Sequence, residues 1–294
     1  MMRSEIDVLT PQTLDEALNI LQQRPAGLRI VAGGSDVIVQ LRDGVMKTER
    51  LLNILSLKEL RFIREKDGRF HLGSLTTYSD ITGSRVMREH CWVLVSAAKQ
   101  IGAVQLQNTA TLGGNLGNAS PAGDTLPPLY ALDALVVTRS KVGRREIPIE
   151  EFFVSYRKTA LKPNELIEEV HFKSMNSKDR GAYLKLGLRE ANAISIVDVA
   201  VVLRGRSANN SFDEARVALG AVAPVITRAH KSEKALEHKS LNEKTLREAA
   251  TFAVEDAAPI DDIRGSAEYR KNVVVSLVYQ ALHEALYGRR KADE

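Results

Sequence analysis

Residues 111–128 read TLGGNLGNASPAGDTLPP, a run of glycine, proline and short polar side chains that interrupts every periodicity around it. In Thr111-Leu112-Gly113-Gly114-Asn115 polar side chains bracket a glycine pair, where missing β-carbons let backbone amides approach an anion closely. Asp124 could accept hydrogen bonds from ribose hydroxyls, as acidic residues do in dinucleotide sites. It could equally cap the following apolar segment, with Pro127 and Pro128 in the first turn. The spacing predicts no regular structure from Asn108 to Asp124, and a long irregular segment inside a compact domain usually serves a function.

A second glycine cluster, Ala32-Gly33-Gly34-Ser35-Asp36, follows the β-prone run 28–32 and leads into Val37-Ile38-Val39. Its amides and the Ser35 hydroxyl suit a pyrophosphate, although a tight turn after a buried strand would look the same. Before it, Thr13 and Glu16 form a capping box for a helix with apolar Leu14, Ala17, Leu18 and Leu21. Between the two clusters the pattern gives β-prone pieces at 61–64 and 69–73, and helices at 79–88 and 92–101. Downstream come an apolar run at 129–138, strands or strand-and-turn at 147–153 and 166–172, and a polar linker at 173–181. Two strands at 194–203 and 215–222 then flank a polar turn, and helices follow at 241–257 and 267–287. A boundary near 175 divides 1–175, with subdomains about 1–58 and 59–175, from 176–294. The terminal RRKADE reads as a frayed, solvated end.

The chain has 294 residues, 41 Lys plus Arg against 37 Asp plus Glu, and 44% hydrophobic residues. That is a folded protein with a sizeable core, and the interspersed charges do not make the basic stripe of a nucleic-acid surface. The one cysteine, Cys91, excludes an intrachain disulfide and a thiolate-held iron–sulfur cluster built by this chain alone. No apolar stretch is long enough for a transmembrane helix and no signal peptide opens the chain, so the expected compartment is the cytoplasm. The P-loop, GxGxxG, HExxH, CxxC and GxSxG patterns are absent, and the histidines show no metal-ligand spacing. Two phosphate-type loops without an acid–base constellation point to a bound nucleotide cofactor.

Together the two glycine motifs, with Pro121 and Asp124, resemble the FAD-binding medium subunit of the molybdenum hydroxylases, the xanthine dehydrogenase and carbon monoxide dehydrogenase flavoprotein family. Supporting likenesses lie at Gln105–Ala110, Leu161–Ile167 (LKPNELI) and Arg264–Arg270 (RGSAEYR), so the resemblance runs close to full length. It implies an α+β fold: a vanillyl-alcohol-oxidase-type FAD-binding domain of two α+β subdomains, then a smaller C-terminal α/β domain of the carbon monoxide dehydrogenase flavoprotein type. By the same resemblance Ile30, Val31, Ala32, Gly33, Gly34, Ser35, Asp36 and Val37 would lie along the FAD pyrophosphate. Thr111, Leu112, Gly113, Gly114 and Asn115 would complete the phosphate and ribityl contacts, and Asp124 would hold the adenosine ribose. Ile101 falls where the family places a residue against the adenine, and Ile167 and Lys185 where it contacts the flavin end. On the pattern alone Lys185 reads as a solvent-facing strand lysine. Ser35 stands where the family commonly has Thr, and Gln107 where it commonly has Arg.

The resemblance implies one station in a relay: a large molybdenum-pterin subunit oxidises substrate, [2Fe-2S] clusters of a small subunit carry electrons, and FAD here passes them to NAD+, oxygen or a quinone-linked acceptor. No catalytic side chain and no metal ligand is expected in this chain. The expected assembly is a dimer of heterotrimers, with Arg264–Arg270 as a docking surface or as a capped helix start with exposed arginines. A free-standing flavin oxidoreductase with its own substrate pocket, a cell-wall precursor reductase of the same flavin superfamily and a non-catalytic assembly module are the alternatives.

Overall fold

The computed structural model describes residues 6–23, 25–207 and 209–288. The chain opens with β1 (Asp7–Leu9), α1 (Leu14–Gln23), β2 (Leu28–Val31), α2 (Val37–Arg42) and β3 (Arg50–Asn53). The three strands are parallel in the order β1-β3-β2, with Val31 opposite Asn53. Ala17, Leu18 and Leu21 recur on one face of α1 and are buried with Leu52, Ile54 and Leu57. The amide of Glu16 donates to Thr13 Oγ1 at 3.2 Å, but the Glu16 carboxylate takes the amide of Gln12, so the expected capping box closes one residue further out. The run 37–39 is the first turn of α2, which buries no side chain.

A five-stranded antiparallel sheet follows, ordered β4-β5-β10-β6-β7. Strands β4 (Ile63–Lys66) and β5 (Arg69–Gly73) precede six helices, α3 (Tyr78–Gly83), α4 (Arg85–His90), α5 (Trp92–Lys99), α6 (Val104–Thr109), α7 (Leu112–Asn118) and α8 (Leu126–Ala131). The chain returns through β6 (Leu135–Ser140), β7 (Gly143–Pro148), α9 (Ile149–Phe152), the hairpin β8 (Phe153–Ser155) and β9 (Lys158–Thr159), and β10 (Leu166–Lys173). Phe70, Leu72, Val136, Val170 and Phe172 bury one sheet face against Leu94, Leu112, Leu116 and their neighbours.

Three expectations change here. The single helix expected at 79–88 is two, because Ser84 ends α3 and its hydroxyl caps α4 by accepting from the Met87 amide. The stretch 108–124 is not irregular: it holds the end of α6 and all of α7, a helix in which Gly113, Gly114 and Gly117 are tolerated because packed neighbours, not propensity, hold it. The apolar run at 129–138 likewise splits into the end of α8 and the start of β6.

The last third is an antiparallel sheet of β11 (Arg180–Gly187), β12 (Ser195–Arg204), β13 (Glu214–Gly220) and β14 (Thr227–Arg228), followed by α10 (His230–Leu236), α11 (Glu243–Ala253) and α12 (Ala267–Tyr287). Every residue of β12 is buried, because both its faces are covered. Val197, Val199, Val201 and Leu203 meet α10–α12, whereas Ala200 and Val202 join Tyr183 in the core beneath the five-stranded sheet's helices. The polar stretch 173–181 is clasped rather than loose. Arg204 donates to the carbonyls of Lys173 and Ser174 and pairs with buried Asp179 at 3.1 Å, and Trp92 Nε1 donates to the Gly181 carbonyl. RRKADE lies outside the described residues. No helix among the described residues is long and apolar enough to cross a membrane.

Candidate functional site

The two glycine motifs meet in space. A β-carbon at Gly33 would fall 1.7 Å from the Thr109 carbonyl oxygen, so the first loop lies directly on the backbone that leads into Thr111. Further along, Gln40 Nε2 donates to Asn118 Oδ1 at 3.1 Å, which ties α2 to the end of α7. Gly34 takes a positive φ of 74°, turning the chain from β2 into α2. Among the described residues, the backbone N–H groups of Gly33, Gly34, Ser35, Asp36 and Val37 donate to nothing. Successive free amides at such a turn form an anion-binding nest.

The second motif works differently. Its amides are spent internally: Leu112 N donates to Thr76 O, Gly113 N to Ser74 O at 2.8 Å, and Gly114 N to the Thr111 hydroxyl that caps α7. What it offers is a surface. Gly114 and Gly117, one turn apart, are exposed, and a β-carbon at Gly117 would meet nothing within 4 Å. Gly113 is held by contact, since a β-carbon there would strike Ser74 at 2.5 Å. Ser74 N in turn donates to the carbonyl of Glu168 on β10, the residue after Ile167. The Ile167 side chain lies in the core.

At the other end Asn115 Oδ1 accepts from Thr125 Oγ1 at 3.0 Å, which fixes the residue after Asp124. Asp124 does not cap α8; Thr125 occupies that position without a side-chain bond. The Asp124 carboxylate instead pairs with Lys185 Nζ at 2.7 Å, and accepts from Ser195 Oγ at 2.7 Å and Tyr183 OH at 3.4 Å. Burial pushes the Asp124 carboxyl upward, and Lys185 opposes that shift. Lys185 is no solvent-facing strand lysine: its side chain is 6% exposed and Nζ also donates to the Gln100 carbonyl, next to partly buried Ile101. Gln107, at the departure from the family pattern, caps this corner by donating to the carbonyls of Lys99 and Ile101.

Tyr78 joins the two halves. Its phenol is pushed up chiefly by burial, with Thr125 opposing the shift and the charges of Asp124 and Asp36 adding to it. The structure therefore brings together the loop 32–37, residues 111–115, Asp124, Lys185 and Ile101, with Ile167 behind them. The sequence pattern missed Tyr78, Thr125 and Tyr183. Tyr183 was within reach, since it sits two residues from Lys185 and so shares its strand face. The arginines of 264–270 do not stand free in solvent: both bond Asp262, and Arg270 is 2% exposed.

Residues 4–172 match the model of the FAD binding domain in molybdopterin dehydrogenase, and residues 182–285 that of the CO dehydrogenase flavoprotein C-terminal domain. The xanthine dehydrogenase FAD-binding subunit of Escherichia coli O157:H7 is 31% identical over 276 residues, covering 93% of this chain and 94% of that one. The nicotinate dehydrogenase FAD-subunit of Eubacterium barkeri is 34% identical over 197 residues, 66% of this chain and 67% of its own length. Among solved structures, carbon monoxide dehydrogenase from Hydrogenophaga pseudoflava lacking the Mo-pyranopterin moiety matches with a TM-score of 0.92 at 28% identity, over 97% of this chain and 98% of that one.

Proposed function

This chain belongs to the family of FAD-binding medium subunits of the molybdenum hydroxylases, and from that premise we propose that it holds FAD between the 33–37 amides and the glycine face of α7. The observation that carries the reading is the free amide nest lying beside a helix face whose Gly114 and Gly117 present no side chain. An extended dinucleotide needs both: donors for its pyrophosphate and a flat surface for close approach.

In this reading Ile30, Val31 and Ala32 carry the chain up to the nest, and Gly33, Gly34, Ser35, Asp36 and Val37 direct amides at the pyrophosphate. Thr111 keeps α7 capped so that Leu112, Gly113, Gly114 and Asn115 hold their places. Asp124 holds the adenosine ribose, and Ile101 packs against the adenine. Because Lys185 is paired with Asp124 and bonded to Gln100, we assign it to the adenosine end of the site rather than to the flavin end. Ile167 acts from behind, through the backbone of Glu168 and Ser74.

Once bound, FAD supplies the two-electron chemistry that passes electrons from the [2Fe-2S] clusters of a small subunit, fed by a large molybdenum-pterin subunit, to NAD+, oxygen or a quinone-linked acceptor. The assembly is a dimer of heterotrimers in the cytoplasm, and this chain is its electron-transfer subunit. The division into 1–175 and 176–294 is supported by the gap of 173–181 between the two matched stretches, and that into subdomains about 1–58 and 59–175 by the separate sheets β1-β3-β2 and β4-β5-β10-β6-β7.

Titrating the full chain with FAD and following flavin fluorescence tests the site. Wild type should quench the flavin saturably. Gly114→Val should keep its thermal unfolding midpoint within a few degrees and bind FAD at least about tenfold more weakly, a loss of about 1.4 kcal/mol. Equal FAD affinity in the two proteins would overturn the placement. A chain that takes up no FAD, alone or co-expressed with large and small partners, would leave the assembly-module reading instead.

A further inference from the structure

Asp198 lies on β12, directly opposite Lys185 of β11 in the sheet register, and is wholly buried. Lys185 nevertheless spends its ammonium on Asp124 and on the Gln100 carbonyl. What Asp198 has is Tyr183 OH, 3.0 Å from its Oδ2, and the same hydroxyl stands 3.4 Å from Asp124 Oδ1. Asp198 Oδ1 is buried with no hydrogen-bond partner among the described residues. Its surroundings also leave no room for relaxation: a β-carbon on Gly220 would come within 2.1 Å of that oxygen and 2.9 Å of Pro127 Cγ.

Two buried carboxylates thus share one phenol hydroxyl, and Lys185, the cation opposite Asp198 in the sheet, is paired with only one of them. An ionised carboxylate that is buried, unpaired and short of donors is among the most expensive groups a protein can hold, and such a group neutralises by keeping its proton. The phenol has a single hydrogen to give. If Asp198 carries a proton, both contacts are satisfied in one direction: Asp198 donates to the Tyr183 oxygen, and Tyr183 donates to the Asp124 carboxylate. The reverse order would leave Asp198 charged and take the Tyr183 hydrogen away from Asp124, which Lys185 and Ser195 already serve.

We propose that Asp198 is a positioning residue, a neutral acid that orients the Tyr183 hydroxyl toward Asp124 and so fixes that carboxylate against Lys185. The proposal rests on the reading of Asp124 as a cofactor contact for its functional consequence, but not for its chemistry. Burial and the neighbouring Asp124 charge both drive the Asp198 carboxyl well above the usual carboxylate range, in the same direction as the geometry. The titratable groups facing it are Tyr183 and Lys185 on β11 and Asp124 on the segment before α8, with Tyr78 beyond Asp124. β13 and α8 present Gly220 and Pro127, which do not titrate, and α12 brings Arg270 to the carbonyls of Ile196 and Ala221, where its charge is paired with Asp262.

The test is an infrared spectrum of the full chain at neutral pH, with and without carboxyl-13C-labelled aspartate. A protonated-carboxyl C=O band that shifts with the label and disappears in Asp198→Asn is expected. Its absence from the labelled wild type would overturn the proposal without any variant having to fold. In the same preparations Asp198→Asn, a neutral isostere, should bind FAD within about twofold of wild type at pH 7, and Tyr183→Phe several-fold more weakly. A carboxyl whose folded-state affinity for its proton is raised makes stability fall as pH rises from the ordinary carboxylate range through the raised value. Asp198→Asn should remove that slope, and an unchanged slope would count against the proposal. The infrared and stability readouts need no FAD, so a failed cofactor site and a failed proton assignment give different results.

Discussion

At the scale of single residues, the glycines of the site divide into those that packing requires and those that leave space. Gly33 is of the first kind, because the obstacle to a β-carbon is main chain of the neighbouring segment and cannot swing away. Gly33→Ala should cost about 3 kcal/mol, the upper part of the range for overpacking. Gly117 is of the second kind and sits in a helix, so Gly117→Ala should raise stability by about 0.5–1 kcal/mol through helix propensity. Urea denaturation of the full chain checks both; a destabilised Gly117→Ala would mean that the glycine face of α7 is not open. Both glycines were legible in the sequence as glycines in a loop-like run. Which of them faces an empty surface was not, since that depends on Thr109 and Ser74, distant in sequence from the residues they touch.

At the scale of elements, the segment before α12 shows how a helix start is made from internal charge. Ser266 caps α12 by accepting from the Tyr269 amide, and Asp262 gathers Arg264 and buried Arg270 around one carboxylate. Arg270 also donates to the carbonyls of Ile196 and Ala221, so the knot ties the helix to β12 and to the end of β13. The hydrogen bonds from Arg264 hold the Asp262 carboxyl far below the usual range, with Arg270 adding to them. A depressed carboxyl contributes stability above its unfolded value of about 3.9 that is lost as pH falls toward the folded value. Asp262→Asn should therefore cost about 3 kcal/mol at pH 7, mostly because it leaves Arg270 buried without its counter-ion. The gap from wild type should begin to narrow below about pH 4 and close only as pH falls through the folded-state value, far below the usual carboxylate range. Chemical denaturation from pH 7 down into that acid range measures it, and a pH-independent difference would assign the cost to packing. The motif RGSAEYR announced a helix start, but the inward turn of its arginines needed Asp262 and two carbonyls from the sheet.

At the scale of the molecule, the junction between the five-stranded sheet and the C-terminal sheet is tied by buried hydrogen bonds. Arg204 closes it by bonding Lys173 O, Ser174 O and Asp179, and Met175 and Asp179 are buried beneath. This matters for the site, because Asp124 comes from one side of the junction and Lys185, Ser195 and Tyr183 from the other. Arg204→Met should leave Asp179 buried and uncompensated, at a cost of about 3 kcal/mol. It should also expose 173–181 to limited proteolysis that wild type resists. Equal protease resistance in the two proteins would show that the clasp does not hold the segment.

By itself the sequence determined the mix of helices and strands and the two glycine motifs, because turn chemistry and hydrophobic period are local properties of the chain; the family came through resemblance. It also placed Asp124 among the candidates by its acidic character beside the glycine motif, and Lys185 only through resemblance. The tertiary structure alone decided that α7 is a helix, that Lys185 points inward, and that Asp198 and Tyr183 complete the Asp124 cluster. The physical reason is the same in each case: glycine propensity, strand alternation and a carboxylate's charge state are weak local preferences, and each is overruled by burial against partners that lie far away along the chain.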